Sequence, residues 1–121
     1  MTYDDALLEH FEHPRNVGAP DGANAEAEVE NPVCGDHLHV WLRIEGGVIQ
    51  AAGWRGRGCV PALAVASAMS EMVTGLPAGE AWQLERDVIA GAVGGVPARK
   101  GHAVALAQTA LRQALASYEA H

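Results

Sequence analysis

Several things are scarce or absent in this chain, and each absence excludes a class of protein. Two cysteines, Cys34 and Cys59, can close at most one disulfide, and they lie too far apart for a local CxxC knuckle. A disulfide framework is not needed either, because 121 residues can bury a modest core without one. Cations are few: 8 Lys and Arg stand against 15 Asp and Glu, giving a formal net charge of −7 and a pI near 5.2. Nucleic-acid binding draws most of its free energy from clustered Lys and Arg, so nucleic acid is not an expected partner. No apolar run approaches the roughly 20 residues that span a bilayer, so no membrane partner is expected. The opening MTYDDALLEHF is acidic where a secretory signal is basic and then apolar. The expectation is a soluble cytoplasmic protein, whose cysteines stay reduced. There is no G-x-S-x-G elbow, no P-loop and no H-E-x-x-H, and no catalytic residue pair suggests substrate turnover. An ordinary enzyme is not expected.

What is present fits one globular domain over residues 1–121: 49% of residues are hydrophobic and 19% charged. Thr2, ahead of the acidic Asp4 and Asp5, suits the cap of a first helix carrying Leu7, Leu8 and Phe11, which Pro14 ends. NVGAPDG reads as turn, and Ala25 to Glu30 alternates small and acidic residues as a short edge strand would. From His37 to Ile44 the alternation is clean, with Leu38, Val40, Leu42 and Ile44 on one face and His37, His39, Trp41 and Arg43 on the other. Glu45-Gly46-Gly47 turns the chain into a returning strand from Val48 to Trp54. After Cys59 the period changes to that of a helix, with Pro61 in its first turn and Ala62, Val65, Ala66, Met69 and Val73 on one side. Gly75 and Pro77 close it, one or two short helices around Leu84 follow, and a last helix runs from about His102 to Tyr118. Strands first and helices afterwards predict an α+β fold, a three-stranded antiparallel sheet with helices packed on one face.

Three Gly- or Pro-rich loops each end in a potential ligand: NPVCGD at 31–36, GRGC at 56–59 and VPARKGH at 96–102. The sketched fold lets all three meet at one end of the sheet. Cys59 precedes a helix whose positive N-terminal end, with Arg55 or Arg57 nearby, would favour its thiolate. Gly35 lets a tight turn aim Cys34 and Asp36 at one point. With His102, two Cys, one Asp and one His satisfy tetrahedral zinc or terminate the two irons of a [2Fe-2S] cluster. Plainer readings stand beside this one: Cys59 as a small buried apolar residue, Asp36 as a turn former, and His102 as a solvent-facing first-turn residue. His10, His13, His37, His39 and His121 are expected to have no site role; His37 and His39, which share the polar strand face, are the only extra ligands to consider.

These residues resemble the IscU/NifU N-terminal type of iron-sulfur cluster scaffold, including its SufU branch, over nearly the whole chain. Tyr3 and LLEHFEHPRNVG look like the family's first helix and its H-x-x-x-P-R-N-x-G segment. NPVCGD matches the first loop, with Cys34 and Asp36; GRGCVPALAVASAMSEMVTG the second, with Cys59 and Ser67; and KGHAVALAQTALRQAL the third, with Lys100 and His102. The resemblance implies a labile [2Fe-2S] cluster or zinc ion at Cys34, Asp36, Cys59 and His102, in an assembly or carrier role. It also implies that Lys100 shields the cluster or holds Asp36, that a cysteine desulfurase is a partner, and that an apo-protein is recipient. Where the family has a third cysteine this chain has Ala103, and of the chaperone-binding L-P-P-V-K segment only Pro97 and Lys100 remain. The first departure counts against ordinary scaffold activity and the second against docking to an Hsp70-type chaperone. The alternatives are a zinc-stabilised interaction protein that binds a desulfurase, to which Tyr3 would matter, and a metal-free association module.

Overall fold

The structure, a computed structural model, describes residues 3–32 and 35–118. The alternating segments form the expected three-stranded antiparallel sheet, in the order β1 (Ala25–Glu30), β2 (His37–Glu45), β3 (Val48–Arg57). Leu38, Val40, Leu42 and Ile44 point inward and are buried. Their outward neighbours His37, His39, Trp41 and Arg43 are half-buried. Gly46 and Gly47 both take positive φ, 61° and 77°, which suits the tight turn joining two right-twisted strands.

Among the described residues, five α-helices follow the expected order: α1 (Asp5–Glu12), α2 (Val60–Val73), α3 (Ala78–Trp82), α4 (Arg86–Gly91) and α5 (Gly101–Ser117). The expected cap, Thr2, lies outside the described residues; Asp4 caps α1, its carboxylate accepting from the Ala6 N–H at 2.8 Å. Helix α5 packs on β1 and β2, and α2 packs on β3, so both lie on the inner face, while α1 covers the far side of α2. That double coverage explains why α2 is buried beyond the single stripe expected of it. Ala64, Ser67, Ala68 and Ser70 are as enclosed as Ala62, Val65, Ala66, Met69 and Val73. Strand β3 continues past Trp54 to Arg57, so Gly56 and Arg57 of GRGC are strand and only Gly58 separates them from Cys59.

Between α1 and β1 the chain forms a strap across the outer face of the sheet. It begins beside β3, where the Gly18 N–H donates to the Trp54 carbonyl (2.7 Å) and the Trp54 N–H to the Asn16 carbonyl (3.1 Å). It then passes so close over Gly53 that a Cβ there would overlap the Gly18 carbonyl and lie 2.8 Å from Pro20 Cδ. It ends at Asn24, whose side chain exchanges two 2.8 Å hydrogen bonds with the backbone of Ile44. The strap root is clasped to α2. Ser67 Oγ meets His10 Nδ1 and accepts from the Arg15 N–H, both at 2.9 Å, and Trp54 Nε1 donates to the Arg15 carbonyl at 2.7 Å. No helix among the described residues is long and apolar enough to cross a membrane.

Candidate metal centre

Three separate pieces of chain deliver side chains to one end of the sheet. The Asn31 N–H donates to the Asp36 carbonyl at 2.8 Å, which extends the β1–β2 ladder by one step and fixes Asp36 at the entrance to β2. Cys59 leaves β3 through Gly58 and occupies the N-cap of α2. His102 sits in the first turn of α5, behind a short 3-10 turn at Ala98–Lys100. Asp36, Cys59 and His102 thereby meet, with one ligand atom from each lying within 4.8 Å of the others. Cys34 lies outside the described residues.

The triangle has sides of 3.3 Å from Cys59 Sγ to Asp36 Oδ2, 3.8 Å from Sγ to His102 Nε2, and 3.4 Å from Nε2 to Oδ2. Tetrahedral zinc, with bonds of about 2.3 Å to sulfur and about 2.0–2.1 Å to nitrogen and oxygen, requires S···N and S···O separations of about 3.6 Å and N···O of about 3.4 Å. The three donors therefore already form one face of a tetrahedron of the right size. Asp36 is only 3% exposed, and a carboxylate so buried needs compensation. It receives the Cys59 N–H at 3.2 Å, the Cys59 thiol and the His102 imidazole. Gly58, at φ +149°, admits this contact, because a Cβ there would overlap the Asp36 carboxylate.

Two electrostatic expectations are corrected. The Cys59 thiol is not biased toward thiolate in the metal-free site: burial pushes its pKa above 9.0, and Asp36 pushes it further. The Ala62 N–H in the first turn of α2 and the charge of Lys100 pull the other way and do not prevail. Arg55 and Arg57 do not contribute, because the extension of β3 aligns them with His39 and His37 on the outer face of the sheet. Asp36 is held by Cys59 and His102, leaving Lys100 as a nearby charge that favours the Cys59 thiolate. Tyr3 is half-buried against the hydrophobic core, and Ala103 faces the interior at 1% exposure.

The His10–Ser67–Arg15 clasp escaped residue-by-residue reading. Its only signal was the pairing of a polar α2 position with the HPRNVG segment.

The NifU-like N terminal domain family matches residues 2–121. Among curated proteins, the iron-sulfur cluster assembly scaffold protein IscU 1 of Archaeoglobus fulgidus is 38% identical over 116 residues, covering 96% of this chain and 76% of the relative. The IscU scaffold protein of Aquifex aeolicus is 36% identical over 120 residues, covering 98% and 76%. Among solved structures, the N-terminal NifU-like protein of Brucella abortus superposes with a TM-score of 0.79 at 19% identity, covering 94% of this chain and 92% of that one. At that identity the likeness bears on the fold, which it shares.

Proposed function

This chain belongs to the NifU-like N-terminal domain family, and on that premise we propose that it acts as an iron-sulfur cluster assembly scaffold or carrier. It works in the cytoplasm as one domain, holding a zinc ion or a labile [2Fe-2S] cluster through Cys34, Asp36, Cys59 and His102. The observation that carries the reading is the triangle of Asp36, Cys59 and His102, whose sides suit coordination of a single ion. Cys34 supplies the fourth donor. A cluster spreads its ligands over two irons, so the three loops must open slightly to receive one. The centre supplies thiolate, imidazole and carboxylate donors together, a mixed set that favours release of cargo over permanent retention. With Ala103 in place of a third thiol, incoming sulfur from a cysteine desulfurase has only Cys34 and Cys59 to receive it. A recipient apo-protein accepts the cargo, and the chain itself turns over no substrate.

The test is anaerobic reconstitution with iron and sulfide, and separately with zinc, followed by absorbance and metal analysis. The expected result is about one centre per chain, lost in Cys59→Ala. A wild-type chain that binds neither, or a Cys59→Ala chain that binds as well as wild type, overturns the reading.

The fit to one ion favours a second reading, a zinc-stabilised protein that binds a cysteine desulfurase without building clusters. Co-purification with a desulfurase, with no persulfide transferred to Cys34 or Cys59, selects it.

A further inference from the structure

A sheet in the order β1-β2-β3 has two outer edges, each presenting backbone N–H and C=O groups that water or another strand must satisfy. The β3 edge is covered. The strap takes it up at Trp54, and nearer its start the Ile49 N–H donates to the Leu76 carbonyl at 2.9 Å while the Gly75 N–H donates to the Ile49 carbonyl at 2.8 Å. The β1 edge is different. The Asn31 N–H donates to the Asp36 carbonyl, so the register that pairs Val29 with Leu38 and Ala27 with Val40 turns the backbone groups of these alternate residues toward β2. Those of Glu26, Glu28 and Glu30 then face away from the sheet. The Glu26 N–H accordingly donates to Ser117 Oγ, at the end of α5, at 3.0 Å. Among the described residues, nothing pairs with the backbone of Glu28 or Glu30 along this edge.

Space and charge lie beside it. On the inner side a groove of about 250 Å³ runs between Val29 and α5, where the small side chains of Ala105 and Thr109 follow His102 at helical spacing and are half-buried. On the outer side Glu26, Glu28 and Glu30 form a row, and their side chains remain 61%, 58% and 56% exposed. His39 and His37 meet this row from β2, and Arg57 reaches Glu30 from β3 at 3.9 Å. Among the described residues, Arg57 is the one Lys or Arg paired with the row.

These charges decide what can cover the edge. A second copy pairing antiparallel through β1 would set glutamate opposite glutamate, in a chain of net charge −7, and like charges directly opposite are destabilising. A strand of the opposite charge meets no such barrier.

We propose that the open β1 edge docks an extended segment of another protein, with Lys or Arg at alternate positions, as a fourth strand. Its backbone pairs with Glu28 and Glu30. Residues opposite Glu26, Glu28 and Glu30 share their face of the sheet, so cations there compensate the row. The residues between them turn inward over Ala105 and Thr109, where short apolar side chains fit the groove. Because the groove reaches His102, the docked segment brings its owner beside the metal centre. Docking itself does not depend on what that centre holds.

The probe is the peptide Thr-Lys-Val-Lys-Val-Lys-Thr, blocked at both ends and added to the chain in the presence of EDTA. Amide NMR should show saturable binding, with hydrogen exchange slowed at least tenfold at Glu28 and Glu30 and unchanged along β3. The peptide Thr-Val-Lys-Lys-Lys-Val-Thr, of the same composition, should bind at least tenfold more weakly. Equal binding of the two reduces the effect to general charge attraction and overturns the proposal. Glu26→Gln/Glu28→Gln/Glu30→Gln should weaken binding of the alternating peptide at least tenfold. Glu28→Pro deletes an N–H that faces the open edge and leaves the bonds of Ala27 and Val29 to β2, so it should weaken binding as much. No binding by the unsubstituted chain, or wild-type affinity in a folded Glu28→Pro chain, overturns the proposal. Protection of the same amides without peptide, rising with chain concentration, assigns the edge to a second copy and overturns it too.

Discussion

Asp36 grips Cys59 at two points, accepting from its backbone N–H through Oδ1 at 3.2 Å and from its thiol through Oδ2 at 3.3 Å. The second bond requires that the sulfur keep its proton. A metal ion bound here would have to displace that proton and would take both groups as ligands, so proton and ion would compete for the same pair of atoms.

This competition predicts the reactivity of the thiol. In a metal-free Cys34→Ser chain, the pH profile of alkylation should report a Cys59 pKa above 9.0, because burial and Asp36 both disfavour the anion. Asp36→Asn removes the carboxylate's share while keeping the shape, so the profile should move to lower pH and alkylation at pH 8 should quicken severalfold. An unchanged profile would leave Asp36 without an electrostatic role.

Gly58 tests the geometry of the same contact. Gly58→Ala places a methyl group into the Asp36 carboxylate and holds an L residue at φ +149°. The expected cost is about 1–3 kcal/mol of stability, as for other overpacked sites, read from urea unfolding. Zinc affinity should fall at least tenfold, because Cys59 and Asp36 can no longer approach each other. Wild-type affinity in a folded Gly58→Ala chain would count against the triangle.

The clasp between α1 and α2 should respond to acid. Burial, with the charge of Arg15, lowers the pKa of His10 below 6.5, against the opposing pull of Glu71 and Glu9. The unfolded chain therefore takes up this proton at a higher pH than the folded one. The corresponding stability is fully present above pH 6.5 and is lost as pH falls through the folded value. Urea midpoints measured from pH 7.5 to pH 5 should fall less steeply in His10→Gln than in wild type.

Ser67→Ala addresses the same clasp from the other side. It strands His10 Nδ1 and the Arg15 N–H in a part-buried position, and should cost about 1–3 kcal/mol at pH 7.5 with zinc affinity kept.

Local pattern made much of this architecture readable in advance. The two-residue period of His37 to Ile44 and the Gly46-Gly47 turn specify a half-buried hairpin, and the helical periods after Cys59 and His102 specify its cover. The meeting of Asp36, Cys59 and His102 followed from the order of strands and helices. The character of the site did not. The Cys59 pKa depends on burial and on a carboxylate 23 residues away along the chain, which no local rule reveals. Gly56 misled for a different reason: it looks like a loop glycine, yet it lies in β3. Its role is close approach, since a Cβ there would lie 2.7 Å from the His37 carbonyl and 3.3 Å from Leu38 Cδ1. The outward aim of Arg55 and Arg57 follows from that strand extension.

The strap over Gly53 joins parts that sequence order keeps apart. One end is tied through Arg15 and Asn16 to α2 and β3, and the other through Asn24 to β2. A disturbance that frees α1 from its neighbours therefore slackens the cord lying across the strands. The first helix and the exposed side of the sheet are mechanically one part, though no side chain of α1 need reach that side.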